Sequence, residues 1–342
     1  MTSQPIRQRD SRIDCLRALG TILIILAHVN PPRTLFQIRS FDVILLVMIS
    51  SMCAYRTKDI NSFKDYLLYL TRRVKRLVIP AYIMITISLL VFYPLYTFVL
   101  HKPFFWTSRQ IAHSYLLLNS GIGYVWITRV YLIIAAFIPF ICKTHSIIKK
   151  TYFHFIVIFI LIFISSALQF ALSGTSLYMN IIFQSTVMYF FPYALAAFCG
   201  VLIYRSKVMN YYVIVLFISV FLFLQMFLYK SSGFSPSQYK YPPSIFYTSY
   251  GIAVSSILYY ITGMIQYDNR FLIRTIEWIS KRSYTIYLVH VPFLIIVKAV
   301  NRIFLPINWM ESFFIVIVAS FLTTGIIESL KQILLVALKK TR

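Results

Sequence analysis

Apolar runs of roughly 18 to 25 residues, separated by short polar connectors, succeed one another along the 342-residue chain. That is the length at which a helix rising about 1.5 Å per residue crosses about 30 Å of hydrocarbon. The pattern predicts ten transmembrane helices, over 13–30, 40–55, 77–100, 123–142, 153–173, 181–204, 211–229, 244–266, 283–300 and 312–336, the second being the shortest. The longest connectors are about 20 residues, at 101–122 and between spans two and three, too short for a soluble domain. The stretch "KDYLLYLTRRVKR" mixes apolar and basic positions and predicts an interfacial helix running into span three. No internal repeat is visible. The expected fold is therefore an all-α polytopic membrane protein, one domain over 1–342, with 1–12 as a tail outside the bilayer.

Composition agrees: 59% of residues are hydrophobic, 12% are charged and the mean hydropathy is +0.77. Charge changes the picture further. The 33 basic against 9 acidic residues would suggest a nucleic-acid partner in a soluble domain. Here they sort by side of the membrane. Assigned to alternate loops, 24 of the 33 fall on the side of the N-terminus, including Arg7, Arg9, Arg12, Arg17 and seven from Arg56 to Arg76, and nine fall on the other. Cytoplasmic loops retain Lys and Arg, so both termini are expected in the cytoplasm and no nucleic acid is expected as partner. The first apolar run follows basic residues as a secretion signal would, but no small-x-small cleavage site follows it and nine further runs do. Cys15, Cys53, Cys142 and Cys199 lie in or beside apolar runs without Cys-x-x-Cys spacing, which predicts buried free thiols rather than disulfides or a metal site.

Charges inside spans are the candidates for chemistry, because each is costly near the bilayer centre. Asp14, Asp42 and Glu328 lie within or at the edge of spans. Asp14 and Asp42 read equally well as helix caps or charge partners at an interface. In "RIDCLRALGTILIILAH", Arg17 and His28 are eleven residues apart, which at about 100° per residue returns to the same helix face. Asp14, one turn before Arg17, is expected to pair with it. The competing reading is that Arg17 only marks the positive boundary and His28 caps the far one. Arg73 and Arg76, one turn apart in "RRVKR", would join Arg17 in a mouth suited to phosphates, or serve topology alone. In "SYTIYLVHVP", Tyr284, Tyr287 and His290 follow at three-residue spacing, where a packed histidine is the plain alternative to a base. Trp126 and Arg129, in "YVWITRVYL", border the outer end of span four, where Arg129 meets either an acceptor or a lipid headgroup.

Taken together, four segments resemble the acyltransferase 3 family of integral membrane acyltransferases: "RIDCLRALGTILIILAH" with its basic residue, ten positions and His; "RVKR" followed by "LVIPAY"; "SFDVILLVMISSM"; and "SYTIYLVH". Ser50 is followed by Ser51 where the family usually has Ser-Gly, and Ser329 follows Glu328 where a Pro is common. The resemblance implies a bacterial inner-membrane enzyme that transfers acetyl from acetyl-CoA to a hydroxyl of a surface glycan or lipid-linked sugar. It implies no bound cofactor. It makes His28 the candidate catalytic residue and Arg17, Arg73 and Arg76 the candidate donor-binding residues. General-base and covalent acetyl-imidazole roles for His28 both stay open. A glycan or lipid flippase would explain ten spans equally well, although the paired broken helices common in transporters are not visible. A polysaccharide polymerase would be expected to carry a large outer loop, which is absent.

Overall fold

The computed structural model describes residues 9–55, 62–176, 180–228, 230–265, 268–303 and 306–340; Arg7, Arg56, Lys58 and Arg342 of the charge count, and the last residues of the seventh and eighth expected spans, lie outside them. The chain is an all-α polytopic membrane protein. Its principal helices are α1 (Ser11–His28), α2 (Arg33–Ile38), α3 (Asp42–Tyr55), α4 (Phe63–Pro94), α5 (Ser108–Tyr115), α6 (Trp126–Ile147), α7 (Thr151–Leu172), α8 (Tyr189–Arg205), α9 (Lys207–Phe227), α10 (Ile245–Thr262), α11 (Arg270–Ile303) and α12 (Trp309–Lys340).

Among the described residues, eight helical segments are long and apolar enough to cross a bilayer. The other two expected spans coincide with α1 and α10, and their polarity has a structural reason. Arg12, Asp14 and Arg17 interrupt the apolar run of α1, and α10 is rich in Ser, Thr and Tyr, but α10 buries Thr248, Ser249, Ser255 and Ser256 inside the bundle instead of turning them to lipid. Conversely α7, α9 and α12, at the periphery, bury few of their apolar side chains, as a lipid-facing helix should. The basic connector is helical: α4 runs unbroken from Phe63 into the third span, started by the Ser62 hydroxyl accepting from the Asp65 amide.

At the centre stands α3, whose Val43 to Ile49 are all buried, packed against α1, α6, α8 and α10. Small residues on its neighbours permit that density. A Cβ on Gly200 of α8 would lie 2.6 Å from the Met48 carbonyl oxygen, and one on Gly20 of α1 would lie 2.8 Å from Leu46. α1 packs along α11. The contacts pair Asp14 with Ser280 at one end and His28 with His290 at the other, so the two helices run in the same direction.

Candidate active site

A cavity of about 530 Å³ opens among α1, α3, α4, α6 and α11. Each wall is a stripe at helical repeat: Asp14, Arg17, Thr21 and Ile24 on α1, Ile127, Tyr131, Ile134 and Ile138 on α6, and Ser280, Tyr284 and Tyr287 on α11. The character changes along its length. One end is basic, with Arg9, Arg17, Arg73, Arg76 and Lys281, and the other is walled by Ile24, Leu46, Ile127, Tyr284 and Tyr287.

The cations at the basic end are held differently. Asp14, buried at 4% exposure, pairs with Arg9, whose Nη2 donates to it at 2.9 Å. That hydrogen bond to a carboxylate raises the Arg9 pKa above its ordinary value. The expected Asp14–Arg17 pair is thus replaced. Arg9 folds back from the segment before the helix onto Asp14, while Arg17 reaches across to donate to Ser280 Oγ at 3.3 Å and Cys53 Sγ at 2.7 Å. Ser280 links the two, donating to Asp14 at 2.6 Å. Among the described residues, Arg17, Arg73 and Arg76 pair with no carboxylate. Three guanidinium groups therefore converge on the cavity with donors to offer an anion.

His28 sits one turn beyond Ile24, in the last turn of α1, which ends where Asn30 takes φ of 55° before Pro31 and Pro32. Its Nδ1 lies 2.9 Å from His290 Nε2. His290 is fully buried, and its Nδ1 is hydrogen-bonded to the Tyr287 carbonyl. A carbonyl only accepts, so His290 carries its proton on Nδ1 and presents a bare Nε2. His28 then donates through Nδ1, and its own Nε2 keeps a free lone pair. The Tyr124 ring stacks on His28 at 3.8 Å between centroids, and Tyr287 Oη donates to the Tyr124 carbonyl at 2.6 Å. Tyr124 adopts φ of 60°, a left-handed conformation that a bulky residue holds only where its surroundings impose it. Tyr287 of the cavity wall thus bonds to the tyrosine stacked on an imidazole whose protonation is fixed by a relay from the backbone.

A family model described as an acyltransferase domain matches residues 10–328, nearly the whole chain. The chain belongs to the acyltransferase 3 family. No curated protein and no solved structure matches it. The protein is a membrane acyltransferase.

Within this acyltransferase the remaining candidates separate. Tyr287 lines the cavity and, with His290, supports His28. Glu328 is not brought to the cavity; it pairs with Lys331 at 3.0 Å on α12. Arg129 donates to Thr186 Oγ1 and, at 3.4 Å, to the Leu116 carbonyl. Trp126 is buried with Lys240 over its ring. Asp42 is buried in a cluster, accepting from Arg39 Nη1 at 2.6 Å and Lys240 Nζ at 3.4 Å. Burial lowers the Lys240 pKa from its ordinary value, against the pull of Asp42. None of the four cysteines forms a disulfide, and only Cys199 is fully buried.

Sequence reasoning missed Tyr124, Ser280, Arg39 and Lys240. The two glycines of "SGIGYVW" were a signal for an unusual backbone before span four. Arg39 and Lys240 lie in connectors and read as ordinary flanking charge.

Proposed function

We propose that the enzyme transfers an acetyl group from acetyl-CoA to a hydroxyl of a bacterial cell-surface glycan or lipid-linked saccharide, with the basic end of the cavity facing the cytoplasm. The observation that carries this reading is the alignment of three carboxylate-free arginines at one end of a cavity with a histidine of fixed tautomer just past the other. The arginines suit the phosphates of CoA, and the apolar far end of the cavity suits its pantetheine arm.

In the reaction, His28 Nε2 takes the proton of the acceptor hydroxyl as its oxygen attacks the thioester carbonyl. The tetrahedral intermediate collapses with loss of the C–S bond, and the departing thiolate takes the proton back from His28 Nε2. The products are the O-acetyl ester and free CoA thiol. His290 and Tyr287 act as positioning residues: they hold the Nδ1 proton of His28 and spread the positive charge that develops on its ring.

The test compares surface-glycan O-acetylation by NMR in cells lacking the chain, cells carrying it and cells carrying His28→Ala. Acetyl signals only in the second support the reading. Identical spectra in all three would remove it.

A further inference from the structure

Among the described residues, positive charge is buried without balance outside the cavity. Arg39, Asp42 and Lys240 are each less than a tenth exposed, and together they comprise two cations and one carboxylate. Among the described residues, Arg39 Nε is buried with no hydrogen-bond partner. An unbalanced charge inside a protein is far costlier than a paired one, so such a cluster calls for an anion. Neither Arg39 nor Lys240 lines the donor cavity. Lys240 nevertheless packs over Trp126, two residues along the chain from the Tyr124 that stacks on His28.

The surroundings suit a sugar. Lys240 Nζ lies 5.5 Å from the Trp126 ring centre and 5.8 Å from that of Tyr241. Tyr241 meets Trp126 edge-on at 5.1 Å and is 51% exposed, which leaves its ring available to the apolar face of a pyranose. Exposed Lys298 reaches Tyr124 Oη at 3.4 Å, and Tyr124 stacks on His28. Lys298 therefore reaches the ring stacked on the catalytic imidazole, the Trp126–Tyr241 platform begins two residues further along the chain, and Asp42 is the one acid among these groups.

We propose that the acceptor is an anionic saccharide, carrying a carboxylate or phosphate near the hydroxyl that is acylated, and that Arg39 and Lys240 hold that anion. This deepens the acyl-transfer reading and rests on it for the role of the bound sugar. A carboxylate or phosphate reaching Arg39 Nε would balance the buried charge, as a neutral sugar would not. Replacing either cation by methionine leaves a neutral pair with Asp42, so the apo protein should keep its stability while losing the anion.

The experiment is thermal unfolding of the full chain in detergent at constant ionic strength and without acetyl-CoA, with methyl glucuronide, glucose 1-phosphate, methyl glucoside or inorganic phosphate as probe. The expected result is a rise of a few degrees with at least one anionic saccharide, none with methyl glucoside or inorganic phosphate, and loss of the rise in Lys240→Met and in Arg39→Met. The proposal is overturned if neither anionic saccharide exceeds methyl glucoside, if inorganic phosphate matches them, or if the rise survives in a variant that folds. The wild-type comparison decides even if both variants fail to fold. Because acetyl-CoA is absent, the result is independent of thiol release: binding without transfer would sink the acyl-transfer reading alone.

Discussion

His28 and His290, 262 residues apart, meet at 2.9 Å with their rings nearly coplanar, at 7°. The buried partner is pinned to a backbone carbonyl, so the pair has one protonation pattern, and that pattern leaves His28 Nε2 free. The function assigned to His28 therefore depends on His290. His290→Ala should lower kcat by about 10- to 100-fold, the usual cost of losing a group that orients a histidine. His290→Asn, whose amide oxygen can still accept, should recover part of it. Both should leave KM for acetyl-CoA within about twofold, since neither removes a donor contact. Steady-state kinetics in acetyl-CoA checks the split.

Arg73→Ala and Arg76→Ala should act the other way, each raising KM for acetyl-CoA by about tenfold, or about 1.4 kcal/mol, with a smaller change in kcat. Added salt should narrow the gap between wild type and variants, because Arg76 is exposed and its attraction for phosphate is screened. Initial rates at low and high ionic strength measure this. An unchanged KM would reduce both arginines to markers of topology.

Much of this arrangement was legible in the sequence, for local reasons. Hydrophobic length located the helices, and eleven residues between Arg17 and His28 put both on one face because a single helix carries them. The contacts that decide the chemistry join distant segments. Nothing near His28 in the chain names His290, and the Asp14–Arg17 spacing favoured a pair that Arg9 displaces through contacts no helical repeat encodes. Arg39 and Lys240 looked like flanking charge because burial is a property of the packed bundle.

Tyr124 offers a separable test. Its left-handed backbone carries about 1 to 3 kcal/mol of strain, and its ring and carbonyl face His28 and Tyr287. Tyr124→Phe, which loses only the contact to Lys298, should keep activity near wild type. Tyr124→Gly should relieve the strain yet remove the stacked ring, lowering kcat by about tenfold with no loss of melting temperature. Parallel turnover and thermal unfolding measurements distinguish the two effects.

Packing around α3 makes a prediction about stability alone. Gly200→Ala would drive a methyl group into the Met48 backbone, and overpacking of this kind costs about 1 to 3 kcal/mol. The variant should unfold at a lower temperature in detergent, while Gly325→Ala, where a Cβ meets nothing within 4 Å among the described residues, should not.

The central claim is that His28 carries the chemistry, and it is tested most directly by thiol release from acetyl-CoA with purified wild-type protein and His28→Ala in the presence of acceptor. A fall of about 10²- to 10⁴-fold in the variant, with folding and membrane insertion intact, is the result expected for loss of a general base. Release from His28→Ala at a rate close to wild type would contradict the account.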